Sequence, residues 1–315
     1  MSPGGVTSHP VPTNAAPVLR RVEAVVNPAA GGVGPGAADA MAKLLSELGL
    51  DATVRAALPE NLQSALQSAL DTAPDLLIVL AGDGTARIAA SLCGAAGPLI
   101  APLAGGTMNM LPHALYGPKD WKTALRETVT EGVITPVSGG EIEGRRFHVA
   151  ALLGAPALWA EAREAARQGR FDVALRKGQN AWRRAFASRL HFSLDAGEHR
   201  RSHALTLMCP LVSRAMANDE GALEVDVLDP KSAAEAFRLG FRTLMSEVVG
   251  DWRDDPAVNV GRCLAGEAWA RAHIPAIIDG EPVRLHKRIE IRFIPVAFRA
   301  LAPPRPPGPP LVGRR

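Results

Sequence analysis

The chain has 315 residues, 47% of them hydrophobic and 21% charged, and its 35 Lys and Arg against 32 Asp and Glu leave a formal charge of +3. This composition excludes a disordered or collagen-like chain, and the length predicts about two domains. The basic excess is too small, and the aromatic content of 4% too low, for a dedicated nucleic-acid binder.

Residues 1–19 are rich in Gly, Pro, Ser and Thr, lack the apolar stretch of a signal peptide, and are expected to form a disordered lead. Arg21–Asn27 reads as a strand ending at Asn-Pro. A helix follows over Ala37–Leu48, closed by Gly49, and then a strand over Asp51–Leu58. Leu62, Leu66 and Leu70 recur at intervals of four, which predicts a helix over Glu60–Leu70. Leu76–Leu80 is a continuous apolar run, as in a strand buried on both faces. Gly82-Asp83-Gly84-Thr85 opens a helix through Leu92, Pro98–Ala101 is a short strand, and Gly105-Gly106-Thr107 opens the next helix. The alternation predicts a parallel sheet covered by helices over residues 20–132. All three glycine turns follow strands, so all three are expected on the carboxyl edge, where such sheets bind ligands.

Beyond residue 133 the pattern becomes one of short strands: Thr135–Ile142, Arg146–Leu153, His191–Leu194, Ala204–Met208, Leu223–Leu228, Ala276–Ile278 and Arg284–Phe293. Helices are expected at 158–188 and 231–249. The reading is a second, mostly antiparallel domain over 133–302, with Ala297–Leu301 a candidate to return to the first sheet and a Pro-rich tail over 303–315. The longest nearly unbroken apolar run, Val149–Ala160, has 12 residues, short of the roughly 20 that span a bilayer. A soluble protein, at most peripheral to a membrane, is expected. Leu158–Leu190 mixes arginines with apolar residues, which suits either a helix on anionic headgroups or a solvated helix packed by its apolar face. Cys93, Cys209 and Cys263 are far apart and outside any Cys/His cluster, so neither a disulfide framework nor a zinc site is read, and a reducing cytoplasm fits.

Four segments carry possible chemistry. Asn27-Pro28-Ala29-Ala30-Gly31-Gly32 follows a strand, and its small residues let main-chain N–H groups approach a phosphate; an ordinary strand-to-helix turn has the same composition. Ala81-Gly82-Asp83-Gly84-Thr85 is a strand, tight turn and helix start, a favourable place for an anion. Asp83 would repel phosphate, so it suits a divalent cation or a proton it must hold, or else it caps its own helix. Leu103–Asn109 repeats the turn with the hydroxyl of Thr107, itself a possible N-cap, and the amide of Asn109. Asp279-Gly280-Glu281 offers a general base near a phosphoryl donor, or a hairpin turn with solvated acids. No P-loop, G-x-S-x-G or H-E-x-x-H motif is present, and His148 and His191 read as structural.

In the order and spacing of these four segments the sequence resembles the diacylglycerol kinase catalytic-domain family, which includes bacterial lipid kinases and the sphingosine and ceramide kinases. The resemblance covers residues 20–302. The family's N-P-x-[SA]-G falls on Asn27–Gly31, G-G-D-G-T on Ala81–Thr85, P-L-G-T-x-N-D on Pro102–Asn109 with one added Gly, and D-G-E on Asp279–Glu281. It implies an α/β fold with an N-terminal parallel-sheet nucleotide-binding domain and a mostly antiparallel, β-sandwich-like C-terminal domain with helices. It implies an ATP-dependent lipid kinase, with ATP and a membrane lipid as substrates; together with the composition and the thiols read above, the expectation is a cytoplasmic protein that binds no nucleic acid and is at most peripheral on the inner membrane face. By resemblance, Asn27, Pro28, Ala29, Ala30, Gly31, Ala81, Gly82, Asp83, Gly84, Thr85, Gly105, Gly106, Thr107 and Asn109 hold the nucleotide. Glu281 is the implied base, with Asp279 beside it, and Asp83 is implied either to hold catalytic Mg²⁺ or to help activate the acceptor. The structural Mg²⁺ segment of bacterial members falls on Glu220–Val225, where Glu220 and Glu224 are each one methylene longer than the family's acids. The chain departs from the family at Ala81, Arg87, Met110 and His113. A kinase of the NAD kinase type and a catalytically weak nucleotide- or lipid-binding homologue stay open as alternatives.

Overall fold

Five consecutive buried residues, Val22–Val26, make β1, and the fully buried Leu76–Ala81 makes β3 beside it. Chain order gives β1, α1 (Ala37–Glu47), β2 (Ala52–Ala56), α2 (Leu62–Leu70), β3, α3 (Asp83–Cys93), β4 (Leu99–Ala104), α4 (Met110–Tyr116) and α5 (Trp121–Glu131). The strands run parallel in the order β2-β1-β3-β4. The computed structural model describes residues 17–154, 157, 189–213, 221–228 and 258–304. It divides the chain into one unit of residues 1–136 and 298–306 and a second that includes residues 137–297.

In the first unit, Leu76 through Leu80 are each 0% exposed; every such aliphatic side chain adds about 1.5–3 kcal/mol of burial. Met41, Leu44 and Leu45 of α1 and Leu62, Leu66 and Ala69 of α2 are the buried stripes of their helices. The chain's final strand reaches this unit, with Ala300 paired parallel to Ile100 of β4. Glu23 sits among the apolar residues of β1 because Arg55 of β2 and the Thr72 hydroxyl hydrogen-bond its carboxylate.

Two local features differ from the expectation. The helix after the third glycine turn begins at Met110, because Asn109 adopts a left-handed conformation (φ 51°) ahead of it. Helix α5 is additional to the expected elements; Asp120 caps it by accepting the N–H groups of Lys122 and Thr123.

The remaining strands are β5 (Val133–Ile142), β6 (Arg145–Phe147), β7 (Ala150–Gly154), β8 (Leu190–Leu194), β9 (Arg200–Ser202), β10 (Ala204–Met208), β11 (Leu223–Leu228), β12 (Val258–Cys263), β13 (Ala265–Trp269), β14 (Ile274–Ile278), β15 (Glu281–Leu285) and β16 (Arg288–Ala302). In the second unit, one sheet has the order β12-β11-β10-β7-β14-β15, and the other contains β16-β13-β8-β9 with the β5–β6 hairpin. Leu153, Leu205, Val225 and Ile278 of the first sheet share one core with Phe147, Phe192, Ala268 and Ile291 of the second, which makes this half sandwich-like. The strand expected over Arg146–Leu153 is broken at His148 and Val149, whose N–H groups turn to a carboxylate described below. The strand expected over Arg284–Phe293 is broken near His286, whose N–H donates to Glu143, and its second half runs on through Ala302. The helices expected at 158–188 and 231–249, and most of the predicted lead and tail, lie outside the described residues.

Candidate functional site

The three glycine turns of the first unit follow β1, β3 and β4, and they interlock. After β1, the N–H of Asn27 donates to the carbonyl of Leu80, and its side-chain oxygen accepts the N–H of Ala29 at 3.0 Å. Ala30 donates to the carbonyl of Asn27, so Asn27-Pro28-Ala29-Ala30 closes a tight turn. The chain then passes against the third turn: the N–H of Gly32 donates to the carbonyl of Gly105 at 3.0 Å. A Cβ on Gly31 would stand 4.0 Å from the Thr107 hydroxyl.

The second and third turns are closer still. Ala81 is the last residue of β3 and lies outside the positive-φ residues, which is why an alanine serves there. Gly105 donates to the Ala81 carbonyl, and a Cβ on Gly105 would fall 2.9 Å from the Ala81 nitrogen. A Cβ on Gly106 would fall 2.8 Å from the Cα of Gly82. Asn109 fastens the third turn, accepting the N–H of Gly106 at 2.7 Å and donating to its carbonyl at 3.0 Å.

Gly82 precedes α3 in an extended conformation, with no side chain capping the helix, and Asp83, Gly84 and Thr85 form its first turn. Asp83 therefore does not cap its own helix. Its Oδ1 accepts the N–H of Leu111, at the start of α4, at 3.3 Å. The arrangement is a rigid edge made largely of main chain, with a helix start, a hydroxyl and one carboxylate. Main chain unshielded by side chains, next to the positive end of a helix, is the form in which α/β proteins hold anions.

The second unit carries the other acids. Asp279 and Gly280, at φ 46° and 85°, are the two central residues of the β14–β15 hairpin, in which Ile278 pairs with Glu281. This is the hairpin of the alternative reading of D-G, with both residues in the left-handed region. Its acids are not equivalent. The Asp279 carboxylate, 9% exposed, accepts three main-chain N–H groups, from His148 at 2.8 Å, Val149 at 2.9 Å and Ala150 at 3.0 Å. Glu281 is exposed. Glu220 lies outside the described residues; Glu224 is buried on β11 and accepts from the Ser213 hydroxyl. The first-unit residues read from the sequence thus come together on one edge, while Leu111 and Val33, which also touch it, carried no local signal.

A parallel sheet whose carboxyl edge is built from interlocked glycine turns defines an α/β unit of the class in which that edge is the usual place for a ligand. Its sequence is more specific: residues 21–142 match the family profile of the diacylglycerol kinase catalytic domain. Solved structures share the wider fold. A diacylglycerol kinase from Bacillus anthracis str. Sterne is 16% identical with a TM-score of 0.65, over 91% of this chain and 98% of that one. Two candidate diacylglycerol kinases from the same organism are 18% and 19% identical, with TM-scores of 0.67 and 0.66, and cover 91% and 90% of this chain and 98% and 97% of their own. No curated protein matches the chain. No helix among the described residues is long and apolar enough to cross a membrane.

Proposed function

We propose that the protein is an ATP-dependent lipid kinase that transfers the γ-phosphoryl group to the hydroxyl of a diacylglycerol-like or sphingoid lipid. The observation that carries this reading is the interlock of Gly82 with Gly106 and of Gly32 with Gly105, a main-chain cradle that a single Cβ would obstruct. In this reading the cradle orients the phosphates and neutralises them with N–H groups, the main contribution a protein makes to phosphoryl transfer.

The donor set suits a magnesium ion. Only Oδ1 of Asp83 has a hydrogen-bond donor among the described residues, which leaves Oδ2 as a hard oxygen ligand. The described residues contain no group of three or more metal-ligating side chains, so the ion would be held by Asp83 together with the nucleotide's own phosphates, as is usual for Mg²⁺. Bound there, it supplies charge neutralisation of the transferring group.

Glu281 receives the proton of the lipid hydroxyl as that oxygen bonds to the γ-phosphorus and the bond to the bridging oxygen of ADP breaks. The products are the lipid phosphate and ADP. Asp279, its carboxylate occupied by three N–H groups, acts as a positioning residue that holds the hairpin carrying Glu281.

The test is transfer from γ-labelled ATP to a panel of diacylglycerol, sphingoid base, ceramide, phosphatidylglycerol and NAD. Label in the organic extract is expected. Label in NADP alone would make the protein a soluble nucleotide kinase, and nucleotide binding without any transfer would make it a binding protein. Glu281→Gln is expected to lower turnover at least about 100-fold with nucleotide affinity retained; unchanged turnover would remove Glu281 from this role.

A further inference from the structure

Arg87 is a cation with no counter-charge among the described residues. It stands on α3 four residues after Asp83, a spacing that brings two side chains together on a helix surface and ordinarily lets Asp and Arg pair. Here they do not pair. Asp83 takes the N–H of Leu111, and Arg87 makes no hydrogen bond or ion pair with any described residue, although its Nε is shut off from solvent. Arg55, Arg126, Arg146 and Arg288 each have a carboxylate partner.

The location adds a second penalty. The fifth residue of a helix is close to the positive end of its dipole, where a cation is disfavoured. The fully buried stripe of α3 is Ala86, Ala89, Ala90 and Cys93, and Arg87 is half-buried beside it. Helical side chains lean toward the N-terminus and cover the preceding turn. For Arg87 that turn is Asp83-Gly84-Thr85, the part of the glycine edge that begins α3. An anion at that edge would supply the missing partner for Nε and offset the dipole.

We infer that Arg87 binds phosphate at this edge, donating guanidinium N–H groups to the outer phosphoryl oxygens of a nucleoside triphosphate. The inference rests on the nucleotide reading of the glycine turns. A planar guanidinium presents paired donors that match two phosphoryl oxygens at once, whereas a lysine supplies only a point charge. Arg87 would thereby set the preference for a triphosphate over a monophosphate.

The experiment is calorimetric titration of the full-length chain with ATP, ADP and AMP, in magnesium, for the wild type, Arg87→Gln and Arg87→Lys. Arg87→Gln is expected to weaken ATP at least about tenfold and AMP less than about twofold, with Arg87→Lys recovering part of the loss. The ligand-free Gln variant is expected to melt no lower than the wild type, because no hydrogen-bond or ion-pair partner among the described residues is lost. Unchanged ATP affinity in Arg87→Gln, or equal losses for ATP and AMP, would overturn the assignment while leaving the nucleotide reading intact. A wild type that binds none of the three nucleotides would overturn both.

Discussion

Oδ1 of Asp83 accepts the main-chain N–H of Leu111 at 3.3 Å, so the acid that begins α3 caps the start of α4. One side chain thereby ties the second glycine turn to the helix that follows the third. The second oxygen of the same carboxylate accepts no hydrogen bond from the described residues.

The cap and the charge are separable. Asp83→Asn keeps a carbonyl oxygen for Leu111 and removes the charge; Asp83→Ala removes both. Loss of the cap should lower the stability of the Ala variant by about 1 kcal/mol, with the Asn variant within about 0.5 kcal/mol of the wild type. Lipid phosphorylation should fall at least about 100-fold in both. Denaturant unfolding beside the labelled-ATP assay checks the pair.

The interlock of the turns predicts unequal tolerance among glycines. Gly106→Ala drives a methyl group to 2.8 Å from the Cα of Gly82, which is main chain and cannot swing away. It should cost about 1–3 kcal/mol and abolish nucleotide binding. Gly31→Ala meets only the Thr107 hydroxyl, at 4.0 Å, and should melt within about 0.5 kcal/mol of the wild type. Thermal denaturation and ATP titration of both variants make the comparison.

Asp279 should prove to be needed for folding as much as for turnover. Its removal leaves the N–H groups of His148, Val149 and Ala150 without their acceptor. Asp279→Ala is therefore expected to lose about 3 kcal/mol or more, whereas Glu281→Gln, at an exposed position, should unfold at the wild-type urea concentration. Equal unfolding midpoints for the two variants would count against this division of roles.

The three cysteines should be silent in the native state. Burial pushes the Cys93 thiol up to about 12. Burial first, and the nearby Asp195 charge second, push Cys263 up to about 12 as well. Burial and then the Asp279 charge raise Cys209 well above its ordinary value. A thiol reagent at pH 8 should label none of them until denaturant is added. Each raised value favours the protonated form in the fold, so its stabilising effect is complete below the unfolded thiol value of about 8.5. That effect declines as the pH rises from there toward 12. Urea midpoints at pH 8 and pH 10 should differ in that direction.

Much of the first unit was legible because its signals are local. Leu62, Leu66 and Leu70 repeat at helical spacing, Leu76–Leu80 is an unbroken apolar strand, and each glycine turn directly follows a strand. The start of α4 is not legible in the sequence, because Asn109 spends its amide on Gly106 and so delays the helix. In the second half the strand over Arg146–Leu153 looked continuous because nothing within it marks a break. The break is made by Asp279, 131 residues from His148.

The sequence by itself determined the order of strands, turns and helices in the first unit and the small residues that let main chain approach main chain. Hydrophobic period and the absence of a Cβ act within a few residues of where they are written. The tertiary structure decided which polar groups are already spent. Asp279 and Glu281, two positions apart and alike in charge, differ because one carboxylate is consumed by three distant N–H groups and the other stands exposed. Asp83 and Arg87, well spaced to pair, do not pair, because the N–H of Leu111 engages the acid from another helix. Hydrogen-bond partners are allotted in space, and no local pattern in the chain records that allotment.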